Sequence, residues 1–330
     1  MAKTKRKDAM AAVLAALQKD NGAERVRSLD GLEAGEATPF GIDALDHGLI
    51  RIGGLPIGRI TEMFSEEGVG KSSLAYAAIG AAQKNGLVTA LADTEYSLSA
   101  ERARTFGVDP ARVIQLEPTD MEHCLQLIEQ TVDAIRATGA PGLIVWDSVA
   151  ATPTRDEVEA GAAPERGFDV RAKVLSRSMR VLAAKLALAR VALLCINQTR
   201  QKIGVMFGDP TTTPGGMALK FHASLRLQLY GGKAVEVDGK KIGRFVTVSI
   251  RKSRYAPPDK VRLRLDYDAG WNNDWSTLEY AKEHGVVGAR DRGAKALEKA
   301  YEVLGWPRTA SGGEIDPDTD TAMEAAGEED

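Results

Sequence analysis

Two closely spaced glycines, a lysine and two serines follow one another in Glu67-Gly-Val-Gly-Lys-Ser-Ser73. An apolar run, Ile60 to Phe64, comes just before. A helix-forming run, Leu74-Ala-Tyr-Ala-Ala-Ile79, comes just after. Strand, glycine turn and helix together make a phosphate-binding loop. The turn's N–H groups converge on an anion, and the helix N-terminus adds its positive dipole end. Gly68, Val69 and Gly70 supply the turn, with Glu67 and Ser73 at its two edges. Lys71 can reach the β- and γ-phosphates of a nucleoside triphosphate, and the Ser72 hydroxyl can ligate Mg²⁺. Ser65 stands where the usual pattern opens with glycine.

Three further residues sit where such a site needs them. Asp147 closes the apolar run Leu143-Ile-Val-Trp, where an acid can hold the metal that bridges the phosphates. Glu95 lies just past the run Leu87–Ala92, where a carboxylate can orient an attacking water; a polar strand end with no role reads the same way. Gln198 ends the run Val191–Asn197, and its amide can sense the γ-phosphate.

A long segment follows, from Thr199 to Gly216. Arg200 and Lys202 can meet phosphates, while Ile203, Met206 and Phe207 can pack against bases. Gly204, Val205, Gly215 and Gly216 complete it. A second glycine-rich loop, at about 160–170, leads into a helix carrying Arg171, Lys173, Arg177 and Arg180. Two loops with basic roots suit a single-stranded nucleic-acid path. Ordinary solvated loops are the bland alternative.

The elements that must position these residues alternate. Strands at Leu87–Ala92, Arg112–Leu116, Leu143–Asp147 and Val191–Asn197 are separated by helices near 100–106, after a capping box at Thr119–Glu122, and over 170–189. This predicts an α/β fold with a mostly parallel sheet covered on both faces. Alternating runs at 224–230, 246–251 and 261–267 predict antiparallel strands added at its edge, with turns at Gly231-Gly232 and Ala256–Asp259. Two short helical patterns follow, 276–284 and 293–304. Ahead of everything, residues 8–21 carry the stripe Met10, Val13, Leu14 and Leu17, with Gly22 as a C-cap. That stripe needs cover, from its own domain or from a neighbouring subunit.

The 330 residues are 44% hydrophobic, enough for a sizeable core, and the net charge is only −3. Nucleic-acid binding would therefore come from local patches. One such patch is Lys240–Arg264, with nine basic residues and a single acid. Glu314 to Asp330 holds eight acids and no base, which predicts a solvated, disordered tail. Cys124 and Cys195 sit apart in apolar runs and fit a reducing compartment. No apolar run is long enough to span a membrane.

Gln201-Lys-Ile-Gly-Val-Met-Phe-Gly208, Gly215-Gly-Met-Ala-Leu-Lys-Phe221, Asp147-Ser-Val-Ala and Gly53-Gly-Leu-Pro-Ile-Gly-Arg59 are long and specific. On them the chain closely resembles bacterial and phage RecA recombinases, over about residues 6–285. The resemblance implies a RecA-like core at 38–270. Residues 1–37 would be an oligomerisation helix and linker, 271–313 a small α-rich lobe, and 314–330 the acidic tail. It implies a cytoplasmic ATPase that polymerises on single-stranded DNA as a helical filament and exchanges strands with double-stranded DNA.

ATP and Mg²⁺ would be held at the Lys71 loop. Glu95 matches the catalytic glutamate, Asp147 the Mg²⁺-site acid, and Gln198 the amide that couples γ-phosphate to the second DNA loop. Lys252 and Arg254 match two lysines that reach a neighbour's ATP, while Lys220 and Phe221 match interface residues. Tyr267 matches an aromatic at the adenine. Lys173, Ser176 and Arg180 match first-loop DNA contacts. Arg102 stands where the family stacks a tyrosine on adenine, and Met217 where it has a DNA-contacting asparagine. Intact Lys71, Glu95 and Asp147 argue against a non-catalytic relative, and the Lys202–Gly216 match argues against a ring helicase or clock-type ATPase.

Overall fold

The computed structural model describes residues 2–23, 26, 35–96, 99–161, 168–201 and 211–309. Expectations for Lys202, Ile203, Gly204, Val205, Met206 and Phe207, for positions 162–167 of the first loop, and for the 314–330 tail lie outside them.

The chain divides into two units, Met1–Glu36 and Ala37–Asp330. In the first, α1 (Ala2–Asn21) begins earlier than the apolar stripe suggested. It stops at Gly22, whose φ of +90° suits a residue without Cβ. Met10, Val13 and Leu17 are exposed.

The second unit is built on nine strands: β1 (Ile60–Ser65), β2 (Val88–Asp93), β3 (Val113–Leu116), β4 (Gly142–Asp147), β5 (Val191–Gln198), β6 (Leu225–Val237), β7 (Lys240–Ser253), β8 (Lys260–Asp266) and β9 (Gly270–Asn272). They form one sheet in the order β9-β8-β7-β6-β1-β5-β4-β2-β3. From β6 to β3 all neighbours run parallel, and β7, β8 and β9 add on antiparallel. The expected α/β architecture is therefore present.

The central strands β1 and β4 are buried along their whole length, as strands covered on both faces must be. Helix α2 (Lys71–Lys84) packs on one face, in a core with Leu74, Ala78 and Ile79. On the other face lies a second core, with Met121 and Ile128 of α4 (Met121–Thr138) and Leu175 and Met179 of α6 (Phe168–Ala189). Short helices α3 (Ala100–Thr105), α5 (Arg155–Ala160) and α7 (Ala218–His222) lie in the connections. Helices α8 (Asn273–Glu283) and α9 (Gly293–Leu304) share a small core of Leu278, Ala281, Val287 and Leu297. Buried Asp43 anchors them, accepting from Tyr301 Oη at 2.6 Å, Asn273 Nδ2 at 3.0 Å and Thr309 Oγ1 at 2.6 Å.

Two local expectations are corrected. The cap of α4 is Asp120, not Thr119: its carboxylate takes the His123 N–H at 2.8 Å, and the Thr119 hydroxyl donates to Asp120 instead. A complete capping box does occur, at Thr154 and Glu157 of α5. Gly231-Gly232 is not a turn either. Strand β6 runs on through the pair with a register shift, and the hairpin closes at Asp238-Gly239. Both residues there have positive φ, +50° and +74°, which is what a tight two-residue hairpin demands.

Candidate nucleotide site

Parallel pairing brings the functional strand ends side by side. Ser65 of β1 is in register with Gln198 of β5, and Asp93 of β2 with Asp147 of β4. Ligands bind at this carboxyl edge in doubly wound sheets. Here a cleft of about 270 Å³ opens, lined by Lys71, Ser72, Glu95, Asp147, Gln198 and Tyr267, and also by Glu67, Gly68, Gly70, Ser73 and Arg102. The geometry thus brings together the residues that spacing alone had only suggested. Val69, between the two glycines of the loop, is buried.

Gly70 begins α2 with φ of +118°, and Gly68 has φ of +69° with nothing within 4 Å of where a Cβ would stand. Lys71, only 8% exposed, donates to Glu66 O at 2.7 Å and to Ser65 Oγ at 3.1 Å. Ser65 therefore has a purpose in the place of the missing glycine: its hydroxyl helps solvate the lysine. Among the described residues Lys71 forms no ion pair. Burial lowers its pKa, while the charges of Asp147, Glu95 and Glu67 oppose that shift. Burial pushes Asp147 up to about 6, against a hydrogen bond from the Ser72 side chain.

Glu95 is held from two sides. Ser148 Oγ donates to its Oε1 at 2.5 Å, and Gln198 Nε2 reaches the same oxygen at 3.4 Å. The candidate water-orienting acid and the candidate γ-phosphate sensor are thus in contact. Arg102 Nη1 donates to the Tyr267 carbonyl, and its guanidinium lies 4.9 Å from the Phe106 ring centre.

A second layer lies beneath. Glu62 of β1, fully buried, pairs with Arg226 Nε of β6 at 2.6 Å and accepts from Asn197 Nδ2 of β5 at 3.0 Å. Asn197 Nδ2 also donates to Pro214 O at 3.1 Å, at the return of the long loop. That return packs on α6: a Cβ at Gly215 would stand 2.5 Å from Leu175, and one at Gly216 3.1 Å from Ala172. On α6 itself Lys173, Ser176, Arg177 and Arg180 are exposed. Arg171 is not available in the same way, since it pairs with Glu157 at 3.0 Å. Arg200 is exposed and pairs across a two-residue ladder with Thr212.

Lys252 and Arg254 do not line this cleft. Lys252 Nζ donates to the Lys220 and Phe221 carbonyls at 2.7 and 2.9 Å, at the C-terminal end of α7. Phe221 beside it is 67% exposed. Sequence reasoning missed Ser148 and Arg244. Arg244 lines the cleft from β7 and donates to Gly68 O at 2.6 Å.

Fold and site define a P-loop nucleotide-binding protein with a RecA-like core. Residues 8–272 match the model of the RecA N-terminal domain. The chain is 37% identical over 253 residues to Protein RecA of Thermotoga neapolitana, covering 76% of this chain and 70% of the relative. It is 36% identical over 290 residues to Protein RecA of Streptomyces ambofaciens, covering 87% and 76%. Against Protein RecA of Lactococcus lactis it is 34% identical over 293 residues, covering 86% and 73%. The chain belongs to the RecA family, the recombinases that catalyse DNA strand exchange with DNA-dependent ATPase activity. Nucleotide binding, DNA binding and filament formation come with that membership. No helix among the described residues is long and apolar enough to cross a membrane.

Proposed function

We propose that the cleft binds ATP with Mg²⁺ and hydrolyses it, and that the cycle drives a helical filament on single-stranded DNA to exchange strands with a duplex. The observation that carries this reading is the convergence of Lys71, Asp147, Glu95 and Gln198 at adjoining strand ends. The residues present fit the nucleotide. Among the described residues Lys71 bonds to neutral oxygens, which leaves its charge to meet phosphate. Ser72 and Asp147 offer two oxygens, which suits a cation that keeps several waters and takes the rest from phosphates. Bound there, Mg²⁺ would neutralise charge on the phosphates.

The chain's own residues do the remainder. Lys71 and the Gly68–Ser73 amides hold the phosphates. Glu95, oriented by Ser148, positions the attacking water. Gln198 senses the γ-phosphate, and through Asn197 its strand reaches the base of the long loop. Arg102 and Tyr267 border the adenine. DNA is met by Lys173, Ser176 and Arg180 on α6 and by Arg200, Lys202–Phe207, Gly215 and Gly216. Lys252 and Arg254 serve the cleft of the next protomer. Residues 1–37 join protomers, 38–270 form the ATPase core, 271–313 a small lobe, and 314–330 an acidic tail. The protein works in the cytoplasm, at the nucleoid when on DNA.

The test is a pair of variants. Lys71→Ala should cut DNA-stimulated ATP hydrolysis at least about a hundredfold, because the transition state loses its charge partner. Glu95→Gln should bind ATP like the wild type and lose hydrolysis. Wild-type turnover by Lys71→Ala would overturn the site, and loss of ATP binding in Glu95→Gln would make that residue structural.

A further inference from the structure

One cation on the cleft has no part in the reading above. Arg244 lies on β7, well before Lys252 and Arg254, and its side chain crosses toward the P-loop of its own protomer. Nη1 donates to Gly68 O at 2.6 Å, inside the turn whose amides face the phosphates. Nε is buried and has no acceptor among the described residues. Nor does the guanidinium pair with a carboxylate among them. A planar fork of five donors is therefore only partly used, and a buried donor without an acceptor is costly.

The neighbouring strand leaves a passage for this side chain. Gly231 of β6 lies alongside, and a Cβ there would stand 2.4 Å from Arg244 Nη2. Strand β6 gives up a side chain at the point where the guanidinium passes. A methyl group there would make the guanidinium, the far end of a flexible side chain, move aside.

We infer that Arg244 is a nucleotide-binding residue acting within its own protomer, its guanidinium contacting the diphosphate that ADP and ATP share. It takes up phosphate from the β7 side of the cleft while Lys71 takes it up from α2, and Gly231 is the glycine that lets it through. This deepens the ATP reading of the same cleft and rests on it. The bland alternative is a brace: a neutral donor that ties β7 to the P-loop carbonyl and leaves the ligand alone.

The experiment is equilibrium binding of a fluorescent ADP analogue and a non-hydrolysable ATP analogue to full-length protein without DNA. Arg244→Gln should weaken both about tenfold, the worth of one charge-assisted hydrogen bond. Arg244→Lys, which keeps the charge, should recover most of that loss. Gly231→Ala should weaken both ligands as Arg244→Gln does, and adding it to Arg244→Gln should cost nothing more. Unchanged affinity in Arg244→Gln overturns the proposal, as does equal loss in the Lys and Gln variants, since a neutral brace would give that. Additive losses in the double variant detach Gly231 from the arginine and overturn its share. Lys71→Ala is the control: if it binds both ligands like wild type, the nucleotide reading itself fails.

Discussion

On its proposed metal role, Asp147 sets function against stability within one side chain. Its carboxyl is buried and its pKa is raised to about 6 from an ordinary 3.8. The folded state therefore prefers the neutral acid. Stability from this group is full below the unfolded pKa, erodes as pH rises toward 6, and stays reduced above it. Metal binding needs the ionised form, which is the costly one. Asp147→Asn should raise the unfolding free energy of nucleotide-free protein at pH 8 by on the order of 2 kcal/mol, the gain fading as pH falls toward 4. The same variant should lose Mg²⁺-dependent hydrolysis. In the wild type at limiting Mg²⁺, hydrolysis should decline as pH drops through about 6, and saturating Mg²⁺ should move that decline to lower pH by favouring the ionised carboxyl. Urea melts at several pH values check the first claim, and a pH–rate profile the last. Lower stability for Asp147→Asn at pH 8 would count against it.

At the scale of elements, the alternation of runs made the central sheet legible, because strands buried on both faces are apolar throughout and end at polar residues such as Asp147. The P-loop was equally legible, since its glycines, lysine and serine are adjacent in sequence. Arg244 and Ser148 were not. Ser148 matters only because parallel pairing sets β4 beside β2, bringing its hydroxyl to Glu95. Arg244 follows a register shift between β6 and β7, and a slip of one residue moves a side chain to the other face. Alternation along β7 therefore does not say which way residue 244 points.

The Glu62–Arg226–Asn197 cluster is a further case, joining three strands that are distant in sequence. Arg226→Ala should cost about 3–5 kcal/mol, because it strands a fully buried carboxylate. Replacing both partners, Glu62→Leu with Arg226→Met, should recover most of that loss. Urea denaturation measures both, and a loss below about 1 kcal/mol for the single variant would mean that water or a rearranged partner reaches Glu62.

At the scale of the whole molecule, the proposed function has the cleft completed by a neighbour. Neither Lys252 nor Arg254 lines it, and Lys252 lies beside the exposed Phe221. Lys252→Ala with Arg254→Ala should leave a folded protomer with poor DNA-stimulated hydrolysis. Mixed with Lys71→Ala protein, it should regain part of that activity, since each protein supplies the half the other lacks. Filaments shown to contain both proteins, yet inactive at every mixing ratio, would argue against a shared site.

Strand β7 carries both kinds of cation. Arg244 faces the protomer's own cleft, and Lys252 follows eight positions later. At roughly 3.4 Å per residue that is a span of about 27 Å along one hydrogen-bonded strand. On the proposed assignments, β7 is a strut between consecutive nucleotides: one end touches the diphosphate at home and the other the ATP next door. The Arg244 end meets a group that ATP and ADP share, so a change set at the Lys252 end when the neighbour's ATP is hydrolysed would be delivered to the home diphosphate, and the coupling must be reciprocal. Hydrolysis along a filament should then be cooperative in ATP, with a Hill coefficient above one. Arg244→Gln should bring that coefficient toward one even at ATP concentrations raised to offset its weaker binding. An unchanged coefficient would mean that signals between protomers travel by another route.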